Sequence, residues 1–251
     1  MTQITSTLSP SETDDRLEIP TWKRALDLTC IVVTSPLWLP LMIIAVVFIK
    51  LVSNGPVFYR QERVGLGGRR FYILKFRSMK VNADTRGHEG YFQQLVQADC
   101  PMRKLDEAGD SRMIPGGRLF RATALDELPQ IFNVISGEMS LVGPRPCTPK
   151  EFDCYAPEQK GRVAMPPGLT GWWQVNGKNS TTFSQMIDLD LAYGRMMSPW
   201  VDVKIIVKTF PAVAKQVLES QGKRRQRKEL LRGPEATSAG FETAEATTLV
   251  S

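Results

Sequence analysis

Asp126 and Glu127 are neighbouring acids in the run Arg118-Leu-Phe-Arg-Ala-Thr-Ala-Leu-Asp-Glu-Leu-Pro-Gln130. Arg118 and Arg121 stand upstream of them, and Arg145 follows in Gly143-Pro-Arg-Pro146. Proline is best tolerated in the first turn of a helix, so Pro129 puts the acidic pair at or just before a helix N-terminus. Unpaired backbone N–H groups there favour anions, either the carboxylates themselves or a phosphate. One carboxylate can attack phosphorus or hold a hard divalent ion, while guanidinium groups grip phosphate oxygens in pairs. These are the parts of a phosphoryl-transfer site. They are equally the parts of a dipole-complementing cap, and on the residues alone that reading stands ahead.

The rest of the inventory narrows the chemistry. The chain has 251 residues, 32 basic against 26 acidic, a net charge of +6, and 42% apolar and 23% charged residues, which is the composition of a globular protein. It has one histidine, His88. Multi-histidine zinc and bis-histidine haem sites are excluded, and a serine or cysteine triad would have to use His88 itself. His88 lies in the polar stretch Thr85–Gly90 and reads as a solvated loop residue. Cys30, Cys100, Cys147 and Cys154 form no C-x-x-C pair, which points to a reducing compartment and no metal or disulfide role. Asp188-Leu-Asp190 has the D-x-D spacing of soluble glycosyltransferases, but Asp190 reads as fold support near Tyr193.

The elements that must position these residues begin with Leu28–Ile49, 22 residues without a charge. As a straight helix it would reach roughly 33 Å, enough for a bilayer core of about 30 Å. Ser35-Pro36 and Pro40 argue against a straight helix. Lys23 and Arg24 precede the run, and Lys50, Arg60, Arg63, Arg69 and Arg70 follow it. Basic residues on both flanks favour a re-entrant helix–break–helix over a single span, with the break at Ser35 and Pro36. The length and the lack of a small-residue cleavage site argue against a signal peptide.

Val57–Val64 and Arg70–Arg77 flank Gly65-Leu-Gly-Gly68 and predict a β-hairpin, with no dinucleotide loop because no helix follows. A short helix is expected around Tyr91–Ala98. Apolar residues at 125, 128, 131, 132 and 135 predict a helix that stops at Gly137. A second periodic stretch covers 201–218 and is interrupted by Pro211. The expected architecture is therefore α+β, a small membrane-associated catalytic domain with a re-entrant N-terminal segment, a β-hairpin and several amphipathic helices. The expected boundaries are a disordered polar arm over 1–20, the membrane segment over 21–52, a cytoplasmic domain over 53–220, and a basic cluster with a disordered tail over 221–251. The cluster Lys223–Lys228 reads as a contact with anionic lipid, not nucleic acid, since no nucleic-acid-binding motif accompanies it. Trp172 and Trp173 read equally as headgroup anchors or as core.

Seven ordered stretches carry a resemblance. They are Lys23-Arg-Ala-Leu-Asp27, Ser35-Pro36, Gly55-Pro-Val-Phe-Tyr-Arg-Gln-Glu-Arg-Val-Gly65, Lys75-Phe-Arg-Ser-Met79, Leu125-Asp-Glu-Leu-Pro-Gln130, Ser140-Leu-Val-Gly-Pro-Arg-Pro146 and Pro167-Gly-Leu-Thr-Gly171. Together, from about Lys23 to Phe210, they resemble the bacterial sugar transferases, the monotopic phosphoglycosyl transferase family. The resemblance implies transfer of a sugar-1-phosphate from a nucleoside diphosphate sugar, a UDP-sugar, to undecaprenyl phosphate, with release of UMP. It makes Asp126 the nucleophile that forms a covalent phosphosugar intermediate. Glu127 would assist at a Mg²⁺ ion held by Asp126 and Glu127, or in accepting a proton. Arg121 and Arg145 would bind phosphates, with Arg118, Lys75 and Arg77 as further phosphate-binding candidates. An aspartyl-phosphate relay needs no histidine, which agrees with the composition.

The implied setting is the bacterial inner membrane, with the catalytic domain on the cytoplasmic face, membrane lipids as partners and self-association open. Such an enzyme would initiate a lipid-linked exopolysaccharide or O-antigen-type glycan. The alternative is an inactive membrane-tethered scaffold, which the intact acid pair and arginines disfavour. The sequence departs from the family pattern at Gly177-Lys178, where Gly-Arg is usual, and in a long loop over Asp84–Asp110. Lysine there supplies charge without a planar fork.

Overall fold

A computed structural model describes residues 18–80, 112–177 and 181–231. Within these residues the fold is α+β, with a long apolar N-terminal helix, a β-hairpin and several helices. Helix α1 (Thr21–Val52) precedes strands β1 (Phe58–Val64) and β2 (Arg70–Phe76). Next come α2 (Gly117–Ala122), a 3-10 helix (Leu125–Gln130), α3 (Ile131–Ser136) and β3 (Ser140–Val142). The chain continues through α4 (Pro149–Asp153), a second 3-10 helix (Gln159–Ala164) and β4 (Gly168–Thr170). It then forms α5 (Trp172–Asn176), α6 (Phe183–Met196) and α7 (Pro199–Leu231). His88, the Tyr91–Ala98 helix, Lys178 and most of both terminal tails fall outside the described residues.

The hairpin forms in the expected register, with Val64 opposite Arg70 and Phe58 opposite Phe76. Its turn uses Gly67 and Gly68 at φ 67° and 79°, a left-handed region that costs side-chain-bearing residues energy. The helix expected over Leu125–Ile135 is two pieces, 3-10 then α. Ala124 enters it at φ 57°, and Pro129 cannot donate the α-type bond to Leu125. Gly137, at φ 85°, ends α3 where the sequence put the stop.

A parallel pair, β3 with β4, was not legible in the sequence because strands of three residues show no period. Its register matches Ser140 with Gly168 and Val142 with Thr170. Backbones cross closely beyond it: a Cβ on Gly143 would lie 2.1 Å from the Pro166 carbonyl oxygen. Only glycine fits, which accounts for the first residue of Gly143-Pro-Arg-Pro146.

Helix α1 lays one stripe on the domain, with Lys23, Asp27, Ile31, Met42, Ala45 and Ile49 buried at helical spacing. Met42, Ala45 and Ile49 pack with Val57, Phe76, Ile114 and Phe120, joining the helix to the hairpin and α2. At the other end Lys23 pairs with Asp202 of α7 and donates to Tyr193 Oη of α6 at 2.9 Å. Arg24 donates to the Val134 and Ile135 carbonyls at the end of α3, where a cation complements the helix dipole. Asp27 accepts from the Leu141 N–H at 3.0 Å. Val32, Val33, Leu37, Ile43, Ile44 and Val47 remain exposed. Only 17% of the most apolar window is buried, and a long apolar helix so little covered suggests membrane association.

Helical structure does not lapse at Ser35-Pro36 or Pro40, contrary to the expected break. Pro36 removes the donor for the Val32 carbonyl, and Ser35 Oγ donates to that oxygen at 2.8 Å. The Trp38 indole donates to the Ile31 carbonyl at 2.9 Å. The Ser35 hydroxyl thus re-satisfies the carbonyl that Pro36 frees, a means by which proline is tolerated within a helix. Pro211 likewise does not interrupt α7, which carries the 223–228 run and ends at Leu231, beyond the boundary expected at 221.

Candidate active site

The 3-10 turn after Ala124 presents Asp126, nearly buried, and Glu127, half-buried. Alternation along β2 turns Phe71, Ile73 and Lys75 to one face, so the two apolar side chains enter the core and Lys75 reaches the turn. Lys75 Nζ meets Glu127 Oε1 at 2.9 Å. Asn133 fixes the spacing between the two elements. It is 3% exposed, accepts from the Leu74 N–H at 3.0 Å and donates to the Tyr72 carbonyl at 2.8 Å.

Glu127 and Lys75 line a cleft together with Arg63, Gln130, Arg145, Trp173 and Gln174. Three cations face one carboxylate, a balance that favours an anionic ligand. Arg145 is exposed and stands between two prolines in the loop after β3. Arg63 is 5% exposed, donates to the Pro146 carbonyl at 3.1 Å and to Gln61 Oε1 at 2.6 Å, and lies 3.8 Å from Glu151. Burial, and then the neighbouring Arg145 charge, lower its pKa from the ordinary arginine value. Gln174 Oε1 is buried and has no hydrogen-bond partner among the described residues.

The residues expected at the site divide. Glu127, Lys75 and Arg145 meet at the cleft. Asp126 adjoins it through Glu127 but does not line it, and neither do Arg118, exposed on α2, or Arg121, whose Nη1 lies 4.0 Å from Met113 Sδ. Arg77 sits elsewhere: 6% exposed, it donates to the Ser53 and Asn54 carbonyls at 3.0 Å and to Ser53 Oγ at 3.1 Å. Its guanidinium closes the turn that follows α1. Ser35 and Pro36 lie on α1 as described above. Arg63 was present in the quoted Gly55–Gly65 stretch but carried no signal of its own, and Gln174 lay just past the Pro167–Gly171 stretch; only the fold turns them to the cleft.

Two further expectations are resolved. Asp190 pairs with Arg162 at 2.6 Å, both nearly fully buried, so it supports the fold through that arginine. Burial pushes the Asp190 carboxyl up to about 6, while the Arg162 charge pulls it down. Trp173 is core, 3% exposed, and its indole donates to Thr181 Oγ1 at 2.6 Å. Trp172 is half-buried and carries Lys208 Nζ 5.5 Å from its ring centre.

This cleft belongs to a chain whose residues 19–216 match the description "Bacterial sugar transferase". The protein is a member of the bacterial sugar transferase family. It is 38% identical over 215 residues to the UDP-glucose:undecaprenyl-phosphate glucose-1-phosphate transferase of Caulobacter vibrioides, covering 82% of this chain and 75% of that one. It is 36% identical over 196 residues to the exopolysaccharide production protein ExoY of Rhizobium meliloti, covering 76% and 84%. With the undecaprenyl-phosphate galactose phosphotransferase of Salmonella typhimurium it shares 36% over 206 residues, 80% of this chain and 41% of that protein. The chain thus spans most of some relatives and less than half of others.

Proposed function

We propose that this protein transfers a sugar-1-phosphate from a UDP-sugar to undecaprenyl phosphate and so begins a lipid-linked exopolysaccharide or O-antigen-type glycan. The observation that carries the reading is the Glu127–Lys75 pair beside Asp126 and opposite Arg145, in a cationic cleft of a bacterial sugar transferase. The names of the relatives supply the substrate classes.

In this reading an Asp126 carboxylate oxygen attacks the sugar-bearing phosphorus. The bond to the UMP oxygen breaks, and UMP leaves with the electron pair. An oxygen of undecaprenyl phosphate then attacks the same phosphorus, the aspartyl bond breaks, and the carboxylate is restored. Arg145 and Lys75 neutralise phosphate charge in both steps. Lys75 also fixes the orientation of Glu127, which takes a proton from the lipid phosphate when one is present.

Adjacent carboxylates fit a Mg²⁺ ion, which commonly takes one or two protein carboxylates and completes its shell with substrate phosphate and water. Among the described residues no third acid, histidine or cysteine joins the pair, so Asp126 and Glu127 would hold the ion with the diphosphate. Bound there, Mg²⁺ would offset charge on the leaving nucleotide.

Both ends of α1 contact the same domain, through Lys23 and Arg24 at one end and Met42, Ala45 and Ile49 at the other. This favours a membrane segment that enters and leaves one leaflet, with the catalytic domain on the cytoplasmic face. The test of the chemistry is UMP release by the purified chain with Mg²⁺, undecaprenyl phosphate and a panel of UDP-sugars. Asp126→Asn is expected to lower the rate at least 10³-fold. Without lipid acceptor, intact mass should show a phosphosugar adduct on wild type and none on Asp126→Asn. Equal rates, or an adduct mapping elsewhere, would overturn the assignment.

A further inference from the structure

The loop that carries Arg145 is gripped by two buried guanidinium groups. Arg162, 3% exposed, donates through Nη1 to Tyr155 Oη at 2.7 Å. Its Nη2 donates to the Asp190 carboxylate at 2.6 Å and to the Arg145 carbonyl at 3.0 Å. Arg63 donates to the next carbonyl, that of Pro146, at 3.1 Å. Pro144 and Pro146 restrict φ on either side of Arg145. The backbone of Arg145 is therefore held while its side chain remains exposed at the cleft.

A neutral donor would satisfy a carbonyl at less desolvation cost than a buried cation. What guanidinium adds is a planar fork serving several acceptors in one geometry. Asp190 and Tyr155 fix the plane of that fork from α6 and from the segment after α4, and the remaining donor direction meets the Arg145 peptide. The charge is matched by Asp190 and not by the cleft, so the cleft keeps its cationic excess.

We propose that Arg162, oriented by Asp190, is a positioning residue that fixes Arg145 for binding the diphosphate of the nucleotide substrate. It acts only through Arg145 and touches no substrate itself. The inference rests on the reading of Arg145 as a phosphate-binding residue.

The test is a double-mutant cycle read by calorimetric titration of the full chain in nanodiscs with UDP and Mg²⁺. Arg145→Ala should weaken UDP binding at least ten-fold, and Arg162→Lys five- to ten-fold. The double variant should bind UDP within two-fold of Arg145→Ala alone. A purely structural role for Arg162 would instead multiply the two losses, and that result overturns the proposal. So does Arg162→Lys binding UDP within two-fold of wild type. If Arg145→Ala leaves UDP affinity unchanged, the phosphate-binding reading of Arg145 fails and the positioning role fails with it, while UMP release by wild type still tests the reaction separately. Should Arg162→Lys not fold, Asp190→Asn replaces it in the same cycle, since it keeps the side-chain shape and removes the charge that orients the fork.

Discussion

Lys75 and Glu127 are 52 positions apart and meet at 2.9 Å, with Lys75 mostly buried and Glu127 more than a third exposed. A pair so wetted is worth little to stability, because solvent screens the attraction and ordering two long side chains costs entropy. In the proposed reaction its part is to orient Glu127. Lys75→Met should therefore shift unfolding free energy by no more than about 0.5 kcal/mol. The same substitution should lower UMP release at least about ten-fold. Chemical denaturation and the UMP assay, run on one preparation, separate the two effects. Arg77 makes the opposite case. It belongs to the same Lys75-Phe-Arg-Ser-Met79 motif, yet three hydrogen bonds commit its guanidinium to Ser53 and Asn54. Residue type and motif membership made both look alike as phosphate ligands, and the end of β2 separates them: Lys75 lies within the strand on the face of Ile73, while Arg77 lies past its last residue and turns to Ser53 and Asn54.

At the scale of elements, the turn bearing the acids is fixed to the hairpin by Asn133, whose side chain takes the place of a missing strand along β2. Replacing it with leucine would leave the Leu74 N–H and the Tyr72 carbonyl without their partner in a part-buried setting. The expected cost is about 1–3 kcal/mol of unfolding free energy, measured by denaturant titration. Activity should fall further than stability alone explains, because Glu127 loses its register with Lys75. The hairpin, the acid pair at the opening of a helical segment and the stop at Gly137 were readable because alternation and turn chemistry are local signals. The 3-10 geometry of Leu125–Gln130 was not, since the apolar spacing of its side chains also fits an α-helix. Nor was the pairing of β3 with β4, which depends on backbone crossings at Gly143 and Gly168 between distant segments.

Across the whole molecule, α1 is both the apolar segment and a load on the catalytic domain, with charged contacts at its N-terminal end and apolar packing towards its C-terminal end. In the proposed re-entrant topology both ends of α1 stay with the domain on one side of the bilayer. Single cysteines placed at Glu18 and at Asn54 in a cysteine-free background should therefore label with an impermeant reagent from the same side of the membrane. Labelling from opposite faces would exclude the re-entrant topology and leave the phosphoryl-transfer reading standing. The sequence by itself determined the kinds of chemistry open to this protein. One histidine and a neighbouring acid pair point away from imidazole catalysis, and an uncharged run of 22 residues marks the membrane segment. These are properties of composition and short spacing. Only the tertiary structure decided which cations face the acids: it brought Lys75 and Arg145 to Glu127, turned Arg77 away, and recruited Arg63 and Arg162 to hold the Arg145 loop. Those choices come from contacts such as Lys23 with Asp202, 179 positions apart, and Arg63 with Pro146, 83 apart. They rest on the packing of one element against another, and a local period carries no record of that.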